Sequence, residues 1–144
     1  MNMGIPFPEL LAMAGGIWKG RKLKAVIPGG PSTAVMPAEA IMGATMDYDG
    51  LSKAGSSLGA GSMIVMDDTT CMVATLKRLS YFFYEESCGQ CTPCREGTGW
   101  LWRVVDRIEN GQGRASDLEL LDSVAGNIMG RTICALGDAA AMPL

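Results

Sequence analysis

Two kinds of hydrophobic pattern divide the chain. In the first part, short apolar runs stand between glycines and prolines, which is typical of short strands and turns. We expect a short helix over residues 9–14, ended by Gly15 and Gly16, then a strand over residues 23–27 and a buried strand over residues 63–66. These elements predict a small unit of mixed helices and strands.

From Thr69 onward, apolar residues recur every three or four positions, as on one face of a helix. Three amphipathic helices are predicted, with apolar faces formed by Met72, Leu76, Leu79 and Phe83, then by Trp100, Leu101, Val104, Val105 and Ile108, then by Leu118, Leu121, Ala125 and Ile128. Ser116 and Glu119 have the spacing of a capping box at the start of the third helix. A fourth helix is expected from about Gly137, and four such helices predict a small bundle.

The change of pattern coincides with a change of composition, since glycine and proline are concentrated in residues 1–68. A chain of 144 residues can form one ordinary domain or two very small ones. We expect two, over residues 1–68 and 69–144. The predicted fold class is α+β, with a small sheet domain followed by an α-helical bundle.

Composition excludes several classes of function. The net charge of −3 argues against a double-stranded nucleic acid partner, which requires a concentrated basic face. The absence of histidine excludes Ser–His and Cys–His catalytic sites and every zinc site that uses imidazole. No apolar run is long enough for a transmembrane helix, so no membrane insertion is expected. Five cysteines without an export signal favour reduced thiols.

Three cysteines form a compact motif, because Cys88, Cys91 and Cys94 are separated by two residues each. Such a loop can wrap one face of a cuboidal cluster, with each thiolate binding a different iron, and Cys134 is available as the fourth ligand. The spacing therefore favours a [4Fe–4S] cluster. The fifth cysteine, Cys71, has no partner at ligand spacing and is expected to be a buried, inert thiol.

Three other interpretations of the motif remain. A structural Cys₄ zinc site more often uses two separated Cys-x-x-Cys pairs. A thiol–disulfide site requires a thioredoxin-like βαβ setting, which the pattern lacks. Cysteines that merely fill the core do not suit a polar segment rich in glycine and proline.

Two segments resemble a known family closely. Residues 86–98, ESCGQCTPCREGT, resemble the cluster loop of the NADH-oxidising flavoprotein subunit of NADH–quinone oxidoreductase, respiratory complex I, and residues 133–141, ICALGDAAA, resemble the segment with its fourth ligand. Residues 25–32 and 59–66 resemble its soluble-ligand-binding β-grasp domain. The resemblance implies a β-grasp-like domain over residues 1–68, a helical [4Fe–4S]-binding domain over residues 69–144, and ligand roles for Cys88, Cys91, Cys94 and Cys134.

The resemblance also implies a place in electron transfer. In this family a Rossmann-like domain binds FMN and NAD(H), and nothing in the 144 residues matches it, so we expect the C-terminal part of such a protein, unable to oxidise NADH alone. The cluster accepts electrons from NADH-reduced FMN and passes them to the next iron–sulfur centre in another peripheral-arm subunit. No catalytic side chain is implied.

The implied location is peripheral, on the cytoplasmic side of the inner membrane or the matrix side in mitochondria. Diaphorase subunits of NAD-reducing hydrogenases and of NAD-dependent formate dehydrogenases share this architecture and are alternative parents.

Overall fold

The computed structural model of the chain describes residues 3–144, which form two compact units divided after Thr70. The elements of the first unit are β1 (Ile5–Pro6), α1 (Phe7–Met13), a short 3-10 helix (Trp18–Gly20), β2 (Leu23–Ile27), β3 (Met36–Pro37), α2 (Ala38–Ile41), β4 (Thr45–Met46), α3 (Tyr48–Lys53) and β5 (Ile64–Asp67).

Two small antiparallel sheets organise this unit. β2 is the central strand of the larger sheet, between β3 and β5, and Val26 lies opposite both Met36 and Val65. β1 pairs with β4 in the smaller sheet. Phe7, Val26, Met36, Ile41 and Leu51 are buried together in the core, with Ala44 and Met46.

The predicted helix and two strands of this unit are confirmed as α1, β2 and β5. The expectation that the second strand is buried is wrong, because β5 lies at the edge of its sheet and exposes Ile64 and Val65. The two-residue strands and the short helices α2 and α3 were not predicted, since they are too short to show a period.

The second unit consists of α4 (Met72–Glu85), α5 (Thr92–Glu109), α6 (Asp117–Ile128) and α7 (Leu136–Ala141), which confirms the four predicted helices. α5 is central, because it packs against both α4 and α6, and α7 contacts all three. The core is built from Leu101, Val104, Val105, Leu121, Ile128 and Ala141. None of the helices within residues 3–144 is both long and apolar enough to cross a membrane.

The start of α6 differs from the predicted capping box. Ser116 has near-helical dihedral angles and its side chain makes no capping hydrogen bond. Asp117, only 1% exposed, accepts hydrogen bonds from the Arg114 N–H (2.8 Å) and from Nε of Arg107 (3.1 Å) and forms an ion pair with the same guanidinium. Arg107 therefore joins α5 to α6, and its hydrogen bond lowers the pKa of the Asp117 carboxyl.

Two residues assigned to apolar helix faces lie on the surface instead. Trp100 is 51% exposed and Leu118 is 71% exposed. In α5 the buried face follows Leu101, Val104 and Val105, and a position only one residue away is turned by about 100° around the helix. In the first turn of α6 the buried residue is Asp117, and Leu118, one position on, is turned outward.

Candidate metal centre

The three-cysteine segment, residues 87–95, runs from the end of α4 into the first turn of α5. Cys88 is exposed in the loop, Cys91 is half-buried at the residue before α5, and Cys94 lies in the first turn of α5 and is only 5% exposed. The segment thus runs from solvent into the helical unit, and each cysteine lies at a different depth.

Local backbone preferences explain this course. Gly89 has φ +74°, a value that favours glycine, so the chain can turn sharply after Cys88. Cys91 is extended (φ −105°, ψ 139°), and Pro93 suits the first turn of a helix, where a missing N–H costs nothing. The first helical hydrogen bond runs from the Arg95 N–H to the Cys91 carbonyl, 2.9 Å.

Two hydroxyl groups hold Cys94. Ser87 Oγ lies 3.2 Å from Cys94 Sγ and is also 3.4 Å from the Gly89 amide nitrogen, whose N–H it accepts. Buried Thr98 donates its hydroxyl proton to the Cys94 carbonyl at 2.8 Å. The sulfur and the carbonyl of the deepest cysteine are therefore both fixed by neighbours on its own segment and helix.

Arg95 braces the loop from outside. Its Nη1 donates to the Gly89 carbonyl (3.0 Å), its Nη2 to Thr92 Oγ1 (3.4 Å), and its Nε to Glu96 (3.0 Å). No role was predicted for Ser87 or Arg95 from the sequence. The only sequence feature that could have pointed to a role is their position, directly before the first cysteine and directly after the third.

The fourth-cysteine segment, residues 130–138, runs from the end of α6 into the first turn of α7, and Cys134 in it is exposed. Asp138 accepts a hydrogen bond from the Gly130 N–H (2.6 Å), and Thr132 donates to the Cys134 carbonyl (2.8 Å). Gly137 lies so close to Thr132 that an added Cβ would fall 2.7 Å from the threonine hydroxyl. Close contact between Thr132 and Gly137 therefore shapes the turn around Cys134.

Cys88, Cys91 and Cys134 lie near enough to Cys94 to affect the pKa of its thiol. Burial raises the pKa of the Cys94 thiol, the Ser87 hydrogen bond lowers it, and the nearby thiols of Cys91, Cys134 and Cys88 each raise it further. Among residues 3–144, however, no three cysteine or acidic side chains converge closely enough to hold a metal ion. The thiols are neighbours without being in a coordination geometry.

Cys71 is separate from this group. It is exposed at the start of α4, with Sγ 3.9 Å from a carboxylate oxygen of Glu109, so the expectation of a buried thiol is wrong. It precedes the first helical residue, where the chain has not yet entered the core.

The donor set suits an iron–sulfur cluster. Such clusters are held by cysteine thiolates, and four thiols are gathered here in a chain that has no histidine. The thiols also lie at the edge of a helical core, with Cys94 shielded from solvent, and burial is one of the factors that set the potential of a cluster.

Comparison with known proteins agrees with this chemistry. Residues 74–144 match the model of the NADH-ubiquinone oxidoreductase-F iron-sulfur binding region. The chain is 52% identical over 144 residues to the F subunit of NADH-quinone oxidoreductase in Rickettsia bellii (strain OSU 85-389), covering 99% of this chain and 34% of the relative. It is 50% identical over 144 residues to the same protein in Rhodobacter capsulatus, covering 99% of this chain and 33% of the relative.

A solved structure of NAD⁺-reducing [NiFe]-hydrogenase in the H₂-reduced state superimposes with a TM-score of 0.86 at 26% identity, covering 99% of this chain and 24% of that one. The chain spans about a third of the length of the curated relatives it matches. Over nearly its whole length the chain is similar to F subunits of NADH-quinone oxidoreductase, and its residues 74–144 match the iron–sulfur binding region of that family.

Proposed function

We propose that this chain provides the electron-transferring, iron–sulfur part of an NADH-oxidising enzyme of the NADH-quinone oxidoreductase type, and that Cys88, Cys91, Cys94 and Cys134 bind one [4Fe–4S] cluster. The observation that supports this most is the gathering of the four thiols around Cys94 in a unit of an iron–sulfur binding family. When bound, such a cluster supplies a centre that gains and releases a single electron.

The residues around the cysteines have positioning roles rather than acid–base roles. The thiols of the three-cysteine segment differ in how deeply they are buried. Thr98 and Arg95 donate hydrogen bonds to backbone carbonyls of this segment. Burial at the start of α5 shields Cys94 from water. Electron transfer requires no proton donor at the thiols. The absence of histidine is consistent with a site that holds its cofactor and performs no bond chemistry of its own.

We further propose that residues 1–68 correspond to a β-grasp-like domain and residues 69–144 to the cluster-binding helical domain. The sheet of β3, β2 and β5 and the helices between its strands support the first assignment. FMN and NAD(H) are assigned to a Rossmann-like domain of the whole protein, outside these 144 residues. On this proposal the 144-residue chain does not oxidise NADH by itself.

The partners we propose are other peripheral-arm subunits that carry iron–sulfur clusters. The proposed location is peripheral, on the cytoplasmic side of the inner membrane or the matrix side in mitochondria. Support comes from the relatives, which are named as subunits of NADH-quinone oxidoreductase.

A second candidate is the diaphorase part of an NAD⁺-reducing hydrogenase. The superposition on the NAD⁺-reducing [NiFe]-hydrogenase favours it, but the identity of 26% is half that to the NADH-quinone oxidoreductase relatives. Both candidates give the cysteines the same role. A Cys₄ zinc site is the remaining alternative with a different chemistry.

The test is anaerobic reconstitution of the chain with iron and sulfide, or with zinc, followed by visible absorption and low-temperature EPR before and after dithionite. We expect a brown protein whose visible absorption bleaches on reduction as an EPR signal appears. A colourless chain that retains one zinc ion and rejects iron and sulfide would contradict electron transfer and indicate a structural site.

A further inference from the structure

Ser87 is the one hydroxyl-bearing side chain whose oxygen lies within hydrogen-bond distance of a cysteine sulfur in residues 3–144. Its Oγ is 3.2 Å from Sγ of Cys94, the deepest of the four cysteines. Ser87 is itself half-buried, so the contact is partly shielded from competing water. A hydrogen bond to a ligand sulfur is one of the factors by which a protein sets the potential of an iron–sulfur cluster.

The surroundings fix the direction of this hydrogen bond. A thiolate that binds iron has no proton and can only accept. The Gly89 N–H points to Ser87 Oγ at 3.4 Å and uses a lone pair of that oxygen, which leaves the hydroxyl proton free for the sulfur.

We propose that Ser87 is a positioning residue that donates a hydrogen bond to the Cys94 ligand and thereby raises the reduction potential of the cluster. The proposal rests on the proposed function, since it takes Cys94 as a ligand. Reduction adds negative charge to the cluster and its sulfurs, and a donor aimed at a sulfur stabilises that charge more in the reduced than in the oxidised state. Removal of the hydroxyl therefore makes the cluster harder to reduce.

The experiment compares midpoint potentials, measured by EPR-monitored redox titration of the reconstituted 144-residue chain. Ser87→Ala removes the hydroxyl. Ser87→Thr and Ser87→Val form a matched pair, because the two side chains have nearly the same shape and only threonine has a hydroxyl group. Ser80→Ala is the control, since Ser80 is a buried serine on α4 whose hydroxyl has no hydrogen-bond partner in the described part of the chain.

We expect Ser87→Ala and Ser87→Val to have lower midpoint potentials than the unsubstituted chain, and Ser87→Thr to lie above Ser87→Val. Ser80→Ala leaves the potential unchanged. Resonance Raman spectra supply a second readout: transfer to D₂O shifts an iron–cysteine stretching band in the unsubstituted chain, and the shift shrinks in Ser87→Val.

Equal potentials for Ser87→Thr and Ser87→Val, with the same D₂O shift in both, would overturn the role of Ser87 and leave the proposed function intact. If Ser87→Ala fails to assemble a cluster, the threonine and valine pair and the D₂O shift of the unsubstituted chain decide the question. Failure of the unsubstituted chain to assemble any iron–sulfur cluster would overturn the proposed function, and this inference with it.

Discussion

The two segments that supply the cysteines are held by different means. The three-cysteine segment, residues 87–95, continues directly into the 18-residue helix α5 and buries Cys94. The fourth-cysteine segment, residues 130–138, runs from the end of α6 into the first turn of the six-residue helix α7, and its cysteine is exposed. Three of the proposed ligands thus lie in or shortly before the most extensively packed helix of the unit, whereas the fourth lies in a turn fixed by a few hydrogen bonds.

This difference indicates that folding alone fixes the three-cysteine segment more firmly than the fourth-cysteine segment. Thiolates must be brought together against their mutual repulsion, and binding free energy then contributes to the order of the site. The structure gathers the thiols without a coordination geometry, which is consistent with a final adjustment on binding. We expect that adjustment to fall mainly on the segment that has fewer contacts with the core.

The largest expected effect is on cluster retention. Cys134→Ala leaves both units folded but removes the fourth ligand, so iron is lost to a chelator about tenfold faster or more. The matched control is Cys71→Ala, because Cys71 is exposed and lies at the opposite end of α4 from the three-cysteine segment. The measurement is the rate of iron release after reconstitution; a full and stable iron content in Cys134→Ala would show that Cys134 is not a ligand.

The second prediction concerns the close contact between α5 and α6 at Gly97. A Cβ on Gly97 would lie 2.6 Å from Cδ1 of buried Ile128, two residues before the fourth-cysteine segment. Gly97→Ala therefore overpacks the contact between α5 and α6, and we expect a loss of about 1–3 kcal/mol in the free energy of unfolding. Urea unfolding of the cluster-free chain measures it.

The control for this prediction is Gly126→Ala, on the open side of α6, where an added Cβ meets nothing within 4 Å. Alanine is favoured over glycine in a helix by about 1 kcal/mol, so this variant is expected to be slightly more stable. A Gly97→Ala chain as stable as Gly126→Ala would mean that α5 and α6 are not closely packed at this position.

A smaller and more local effect is expected when the hydrogen bonds that Arg95 donates to the three-cysteine segment are removed. Arg95→Ala removes the hydrogen bond to the Gly89 carbonyl, and one such bond contributes about 1 kcal/mol. Amide hydrogen exchange in the segment should then become about fivefold faster. Arg103→Ala makes the same charge change on the same helix and is the control; equal exchange rates in the two variants would exclude the bracing role of Arg95.

The smallest expected effect is a pH dependence of the stability of α6, the helix that precedes the fourth cysteine. Hydrogen bonds from Arg107 and from the Arg114 backbone lower the pKa of Asp117 below its ordinary 3.8. The stabilisation is therefore complete above pH 3.8 and is lost as the pH falls through the lower folded value. Asp117→Asn should lack this acid-induced loosening of α6, whereas exposed Asp122→Asn should retain it, as measured by amide exchange across an acid series.

Periodicity in the sequence was sufficient to predict the long helices, but it did not predict how their ends are capped or which of their apolar residues are exposed. The stripe of Leu101, Val104 and Val105 predicts α5 because burial of one face is what stabilises a short helix. Trp100 was assigned to the same stripe and is exposed, since a stripe of apolar residues does not show where the packed face ends. The start of α6 was predicted, but the capping box at Ser116 is absent, because the Asp117 carboxylate is bonded by Arg107, ten positions earlier in the chain.

The candidate site shows the same limit. The cysteine spacing and the family resemblance predict four ligands, and the three other thiols lie near enough to Cys94 to affect its pKa, but their role as ligands stays a prediction. The contacts of Ser87 and Arg95 were not predicted, because they depend on a loop turning back across the first turn of a helix. The exposure of Cys71 was not predicted either, since its apolar neighbours in the sequence belong to the helix that begins after it.

The central claim, that the four cysteines bind a single [4Fe–4S] cluster, is tested most directly by Mössbauer spectroscopy of the reconstituted chain together with iron and sulfide analysis. We expect about four irons and four sulfides per chain, all in the signature of one cubane cluster. A spectrum of mononuclear iron, or of a two-iron cluster with about half that iron content, would contradict the claim.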